Sequence, residues 1–213
     1  MPVNSIIQFE FPSRFYFITY RPGSRNGIFQ DVREVLEAGV RIVQYREKEF
    51  PLREQLREAE GILELCRGFG AIFVVNDRVD VALAVGADGV HLGPDDMPPE
   101  VARRLLGTEK LIGVSVGSVE EALKAREAGA DYLGVGPIFS TSTKSDAGPP
   151  IGLQGLKAIR RAVSLPIVAI GGITLEKVGD VMEAGADAVC AISAVAGDRV
   201  GEKVRAFLEA LGR

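Results

Sequence analysis

One phrase recurs along the chain. It reads EAGVRIVQYRE at 37–47, VGADGVHLG at 85–93, EAGADYLGVGP at 127–137 and EAGADAVCAIS at 183–193. Each time a stretch with helical spacing closes on Ala-Gly or Val-Gly, and a β-branched apolar run follows within a few residues. Glycine suits the left-handed position that ends a helix. The apolar run is too short for a helix and too continuous for a half-exposed strand, so it reads as a parallel strand buried on both faces. Gly39, Gly86, Gly129 and Gly185 fall 47, 43 and 56 residues apart (39 to 86, 86 to 129, 129 to 185). Such an interval holds two strand–helix units, and the second strand of each pair is predicted at 15–20, 71–75, 111–116 and 166–170. Amphipathic segments lie between, as in Val32, Val35, Leu36 and Val40, or Val119, Ala122, Leu123 and Arg126. Eight units in about 200 residues predict an α/β protein of a single (β/α)8 TIM barrel. An open doubly wound sheet competes, but it rarely takes eight strands of such even spacing. The expected organisation is one domain over 1–213, an N-terminal extension at 1–13 and the barrel at 14–213.

Composition agrees with a compact chain. Of 213 residues, 46% are apolar and 25% charged, and 11 Pro with 25 Gly are too few for a disordered or collagen-like sequence. With 25 basic and 29 acidic residues the net charge is −4, so no general cationic field recruits nucleic acid or acidic membrane. Small molecules are the expected partners, and a homo-oligomer stays open. Cys66 and Cys190 are too few for a disulfide framework, which fits a reducing compartment. The start, MPVNSIIQFEFPSRFYFITY, has no basic region before an apolar core, and no apolar run approaches the ~20 residues that span a bilayer. A cytoplasmic protein is expected.

A barrel places chemistry at the C-terminal ends of its strands. The second predicted strand ends in Gln44-Tyr45-Arg46-Glu47-Lys48, where Gln44, Arg46 and Lys48 alternate onto one face. An amide and two cations suit an anionic ligand, although a solvated strand end explains them equally well. The third strand ends in Asn76-Asp77, and the fourth leads through His91 to Asp95 and Asp96. Carboxylates on adjacent strand ends can hold Mg2+ together with substrate phosphates. One of Asp95 and Asp96 is expected to cap the following helix, ahead of Pro98-Pro99, and the other to face the ion. His91, the single histidine, lies within an apolar strand and reads as structural or substrate-orienting. After the sixth strand comes a long hydroxyl-rich loop, Gly136-Pro137-Ile138-Phe139-Ser140-Thr141-Ser142-Thr143-Lys144, apt for pyrophosphate and of the length of a binding loop or lid. Strand seven ends in Ile170-Gly171-Gly172-Ile173 and strand eight in Ala191-Ile192-Ser193, the usual place for a phosphate on backbone N–H groups. No nucleophilic Ser-His or Cys-His pair and no dinucleotide fingerprint is seen, and both cysteines read as core residues.

Taken together, Gln44-x-Arg46-x-Lys48, the run VNDRVDVALAVGADGVHLG at 75–93 with Asp96 beyond it, GPIFSTSTK at 136–144, IGGI at 170–173 and AIS at 191–193 resemble the thiamine-phosphate synthase family. The likeness extends over most of the chain. It implies a transferase that joins a hydroxymethylpyrimidine, delivered as its pyrophosphate, to a thiazole phosphate, giving thiamine phosphate and pyrophosphate. It also implies Gln44, Arg46, Lys48 and Asn76 as ligands of the pyrimidine pyrophosphate, and Asp77 and Asp96 as Mg2+ carboxylates. Ser115 would contact the pyrimidine or its leaving group. Thr141 and Thr143 would hold the thiazole phosphate and Lys144 the pyrophosphate, with Arg46, Lys48 and Lys144 serving catalysis. Gly172, Ile192 and Ser193 would complete the phosphate cradle. Pro94 stands where the family commonly has Gln, and Tyr20 where an Asp often ends the first strand. Two alternatives are a thiazole tautomerase of the same fold and a non-catalytic binder of thiamine precursors. The presence of Thr141, Thr143, Lys144, Asp77 and Asp96 favours the synthase.

Overall fold

The computed structural model describes residues 9–143 and 148–212. Eight strands run parallel in chain order: β1 (Phe17–Ile18), β2 (Ile42–Tyr45), β3 (Ile72–Asn76), β4 (Gly89–Leu92), β5 (Leu111–Val116), β6 (Tyr132–Val135), β7 (Ile167–Ile170) and β8 (Ala188–Cys190). The ring closes through a parallel bridge between Phe15 and Val189. There the Tyr16 N–H donates to the Val189 carbonyl and the Val189 N–H to the Arg14 carbonyl, each at 2.9 Å. The fold is the (β/α)8 barrel that the spacing predicts. The helices are α1 (Ile28–Ala38), α2 (Leu52–Gly68), α3 (Val79–Val85), α4 (Pro99–Leu106), α5 (Val119–Glu127), α6 (Gly152–Ala162), α7 (Val178–Glu183), α8 (Ile192–Val195) and α9 (Val200–Ala210). No described helix is long and apolar enough to cross a membrane.

The four glycines of the repeated phrase follow α1, α3, α5 and α7, and all have positive φ, at 115°, 71°, 86° and 106°. The aspartate of the same phrase has a further role. Asp88 accepts the Phe73 N–H (2.8 Å), Asp131 the Ile112 N–H (2.7 Å) and Asp187 the Ile167 N–H (2.8 Å). Each carboxylate sits just before an even-numbered strand and staples the start of the odd-numbered strand before it. Arg41 takes the place of the aspartate in the first repeat, and its own N–H goes to the Ser13 hydroxyl instead.

β1 is shorter than predicted. The Thr19 N–H still donates to the Gln44 carbonyl, but the Arg46 N–H then goes to Thr19 Oγ1 at 2.9 Å, so a side chain replaces the next ladder bond. In α1 the predicted stripe is fully buried at Val32, Val35 and Leu36. In α5 the stripe runs through Ala122 and Ala125, and Arg126 is exposed. The reason is helical geometry: Ala125 lies three residues from Ala122, on the same face.

Two apolar layers result. One fills the space between strands and helices. The other fills the barrel, from Tyr16, Ile18, Ile42, Val74, Tyr132, Val168, Ala188 and Cys190, with Phe9 and Phe11 packed against it. The Phe11 ring lies 5.4 Å from that of Tyr132 and 6.2 Å from that of Tyr16, centroid to centroid. Since Tyr16 and Tyr132 stand at the starts of their strands, this segment plugs the N-terminal end of the barrel.

Between α1 and the loop after β1 lies a flaw in this packing. Asp31 is 5% exposed, and among the described residues neither its Oδ1 nor the Ser24 hydroxyl oxygen makes a hydrogen bond of good geometry, although the two lie near enough to interact. Burial pushes the Asp31 carboxyl above its ordinary range, and the nearby Glu34 adds to this while Ser24 opposes it. The native state therefore favours the protonated acid. Stability from this group is complete below the unfolded value and is lost as pH rises through the raised one. Asp31→Asn should therefore raise Tm at pH 7 by about 2 °C, with the gain shrinking on acidification. Thermal melts of both proteins from pH 4 to 8 test this, and an equal or lower Tm for the variant at pH 7 would count against it.

Candidate active site

A cavity of 520 Å³ opens at the C-terminal ends of the strands. Twelve of the thirteen site residues expected from sequence line it: Gln44, Arg46 and Lys48 from the end of β2, Asn76 and Asp77 after β3, Asp96 after β4, Ser115 from β5, Thr141 and Thr143 from the loop after β6, and Gly172, Ile192 and Ser193 after β7 and β8. The thirteenth, Lys144, lies outside the described residues. Pro94 is also in the wall. Tyr20 is not, because its ring packs against Gly23 in the loop after β1.

Parallel strands alternate their side chains, so the face that buries Tyr45 behind β2 sends Gln44 and Arg46 into the barrel mouth. The Lys48 ammonium lies 3.0 Å from the Asp77 carboxylate. Asp77 itself has φ 61°, a left-handed conformation that Asp tolerates better than most residues. Its N–H is held by the His91 carbonyl at 2.8 Å. Across from it, Asp96 Oδ2 accepts the Gly93 N–H at 2.7 Å. The expectation that Asp95 or Asp96 caps α4 is incorrect. Pro98 is the N-cap and no side chain caps this end. Pro98 and Pro99 begin the helix with preset φ and one fewer N–H to satisfy, which frees Asp96 to close the Gly93 turn.

The Asp96 carboxyl is pushed above its ordinary range by burial first and by the neighbouring Asp77 second, against the pull of the Gly93 N–H and Lys48. Two carboxyl groups brought this near each other fit a hard divalent cation, which would satisfy both as carboxylates. No cluster of three or more His, Cys, Asp or Glu side chains with metal-ligand geometry occurs among the described residues. The remaining positions of such an ion would fall to water and ligand oxygens.

The floor is a chain of hydrogen-bonded polar side chains. Gln44 Nε2 donates to the Tyr16 hydroxyl (2.9 Å), which meets the Tyr132 hydroxyl (2.9 Å). The Tyr132 hydroxyl meets His91 Nδ1 (3.1 Å), and His91 Nε2 meets the Ser115 hydroxyl (3.0 Å). Burial pushes both phenols well above their ordinary range, so they stay protonated. His91 thus orients neighbours, in line with the sequence reading. Glycines make the room. A Cβ on Gly113 would lie 2.2 Å from the Tyr132 ring and 2.5 Å from His91 Nδ1.

The opposite wall is built from the turns after β6 and β7. The Ile138 and Phe139 N–H groups donate to the Ile170 and Gly171 carbonyls, both at 2.9 Å. Gly172 (φ 61°) leaves space where a Cβ would come within 2.4 Å of the Ser140 carbonyl oxygen. The root of the long loop is thereby fixed against β7. Cys190 lines the cavity, and burial raises its thiol far above the ordinary range; Cys66, packed in α2, is pushed up to about 12. Neither offers a thiolate. Sequence reasoning passed over Tyr16 and Tyr132, because aromatic residues in apolar runs carry no mark of a polar partner 116 residues away. It also passed over Glu121, which lines the mouth and accepts the Gly117 N–H at 2.6 Å.

The fold and its mouth define a (β/α)8-barrel protein with polar chemistry confined to the C-terminal face. Comparison with known proteins narrows that class. Residues 15–195 match the family model described as thiamine monophosphate synthase. A thiamine-phosphate synthase of Methanosarcina barkeri is 50% identical over 200 residues, 93% of this chain and 90% of the relative. One from Chloroflexus aurantiacus is 55% identical over 186 residues, covering 85% and 84%. The solved thiamine phosphate pyrophosphorylase from Pyrococcus furiosus superimposes with a TM-score of 0.86 at 42% identity, over 93% of this chain and 95% of that one. The chain belongs to the thiamine monophosphate synthase family and is an enzyme, a transferase of thiamine biosynthesis.

The crowding around Gly113 gives a test of the floor. Gly113→Ala should destabilise the protein by about 3 kcal/mol, since either Tyr132 or His91 must leave its place. Urea unfolding measures this, and a loss within the ~0.5 kcal/mol of a surface substitution would contradict the packing described.

Proposed function

We propose that the protein condenses 4-amino-2-methyl-5-hydroxymethylpyrimidine pyrophosphate with 4-methyl-5-(2-phosphoethyl)thiazole to thiamine phosphate, releasing pyrophosphate; from the thiazole carboxylate the same product forms with loss of CO2 and uptake of a proton as well. The observation that carries this reading is the meeting, at one mouth, of the Arg46 and Lys48 cations with the facing Asp77 and Asp96 carboxyl groups. In this reading Gln44, Asn76 and Ser115 orient the pyrimidine. Arg46 and Lys48, with Lys144 from the loop, neutralise the charge that the pyrophosphate gains as the methylene C–O bond breaks. The electron pair of that bond leaves with the pyrophosphate, and the delocalised pyrimidine methylene cation remains. Thr141, Thr143, Gly172, Ile192 and Ser193 hold the thiazole phosphate so that the ring nitrogen lone pair forms the new C–N bond. With the thiazole phosphate itself no proton need move, which suits a floor of neutral hydroxyls and a wall without a thiolate. A closed mouth keeps water from intercepting the cation.

Asp77 and Asp96 would hold Mg2+, which when bound supplies positive charge to the pyrophosphate oxygens. The enzyme would act in the cytoplasm on small molecules, without nucleic acid or membrane as partner.

Pyrophosphate release by the purified protein tests the reaction. Release should require both substrates and stop with EDTA. Isomerisation of a thiazole carboxylate phosphate without release would instead make it a tautomerase, and binding without turnover a precursor-binding protein. Millimolar Mg2+ should raise the Tm of the free protein and leave that of Asp96→Ala unchanged. Asp96→Ala should also lower kcat by about a hundredfold with a much smaller change in thiazole phosphate affinity. Equal losses in both would remove its metal role.

A further inference from the structure

The loop after β1 carries an arginine that no part of the proposed reaction uses. Arg21 Nε donates to Glu47 Oε2 at 2.6 Å, and its Nη2 reaches both oxygens of Glu58, on α2, at 2.7 Å. The guanidinium also lies 4.2 Å from the centre of the Phe50 ring. Tyr45 donates its hydroxyl to the same Glu58 at 2.8 Å. Three segments therefore converge on one fork: the loop after β1, the end of β2 and the start of α2.

Glu47 stands between Arg46 and Lys48. Its side chain is only 6% exposed, while Lys48 is half exposed in the mouth. Its second oxygen accepts the Glu49 N–H at 2.9 Å. Burial opposes the charge on Glu47, yet Arg21 and the backbone N–H groups outweigh it and hold the carboxyl below its ordinary value. The side-chain alternation that aims Arg46 and Lys48 into the mouth aims Glu47 away from it. Among the described residues Arg21 is the cation paired with this nearly buried carboxylate, and removing it would leave the charge uncompensated, a costly state. The cations nearest in sequence are the two that face the ligand.

We propose that Arg21 is a positioning residue: by holding Glu47 on the far side of β2, it keeps Arg46 and Lys48 available to the leaving pyrophosphate. This rests on the reading of Arg46 and Lys48 as pyrophosphate ligands. Arg21 touches no substrate and acts through Glu47. An arginine is suited to the task because its planar fork engages two carboxylates in a fixed geometry, whereas an ammonium is a mobile point charge on a flexible stem.

Steady-state kinetics of Arg21→Met decide the matter. The KM for the pyrimidine pyrophosphate and the inhibition constant of inorganic pyrophosphate, measured with Mg2+, should each rise about tenfold, with the KM for thiazole phosphate within about twofold. Adding Glu47→Gln in the Arg21→Met background should restore most of the loss, because a neutral amide does not capture the cations. A merely structural role would move both KM values together, or lower Tm alone, and would show no recovery in the double variant; any of these overturns the proposal. Should Arg21→Met fail to fold, Arg21→Lys serves, with a smaller shift of the same pattern expected and an unchanged pyrophosphate inhibition constant overturning it. Lys48→Met separates the two levels. If it leaves pyrophosphate inhibition unchanged, the reading of the mouth falls and the role of Arg21 with it. If Lys48→Met weakens inhibition and Arg21→Met does not, only the inference about Arg21 falls.

Discussion

Everything at the mouth depends on strand register. Side chains alternate across a strand, so a slip of one residue would turn Gln44 and Arg46 outward and bring Tyr45 and Glu47 into the barrel. Main-chain ladders alone do not select a register, because each offers the same bonds after a shift. Side chains select it here. Asp88, Asp131 and Asp187 bind N–H groups at the starts of β3, β5 and β7, those of Phe73, Ile112 and Ile167. Thr19 fixes the far end of β2 through the Arg46 N–H. Within the barrel the Tyr16–Tyr132 contact ties β1 to β6 across the axis.

The mouth concentrates what folding alone would avoid. Asp77 occupies a left-handed backbone position, and its carboxyl group meets that of Asp96 with one ammonium beside them. Strain and like charge of this kind gather at functional sites and are borne by the surrounding structure. The lower half of the barrel supplies that support. It is close-packed, plugged by Phe9 and Phe11, its few polar groups are hydrogen-bonded to one another, and its tyrosines keep their protons. The protein thus separates a packed, uncharged-hydroxyl floor from a charged rim within a single short barrel.

Much of this was legible in the sequence because the relevant signals are local. Apolar runs after a helix-ending glycine located four strands, the length of the intervals between them placed the other four, and residues two apart on β2 shared a face as their spacing required. Polar residues just after the runs faced one cavity because a barrel gathers strand ends. What escaped depends on partners distant in sequence or on competition between local options. The aspartate in the repeated phrase binds an N–H 15 to 20 residues earlier, a partner that nothing local in the sequence marks. Tyr16 and Tyr132 lie in apolar runs, and the meeting of their hydroxyls joins residues 116 apart. Asp95 and Asp96 offered a cap to a helix that two prolines had already started. The Arg21 fork depends on Glu58, which only the packing of α2 brings against it.

The aspartate staples also bear on how the chain collapses. Each joins residues 15, 19 or 20 positions apart, and the entropy lost in closing a loop grows with its length. Three strand pairs can therefore lock with modest loop entropy, each within its own stretch of chain. Sealing the ring is different, since Arg14 and Tyr16 must find Val189 at the other end of the sequence. The barrel is in this sense assembled from short-range pieces and completed by one long-range contact. The mouth, which draws on β2 through β8, acquires its shape only when that last seam is made.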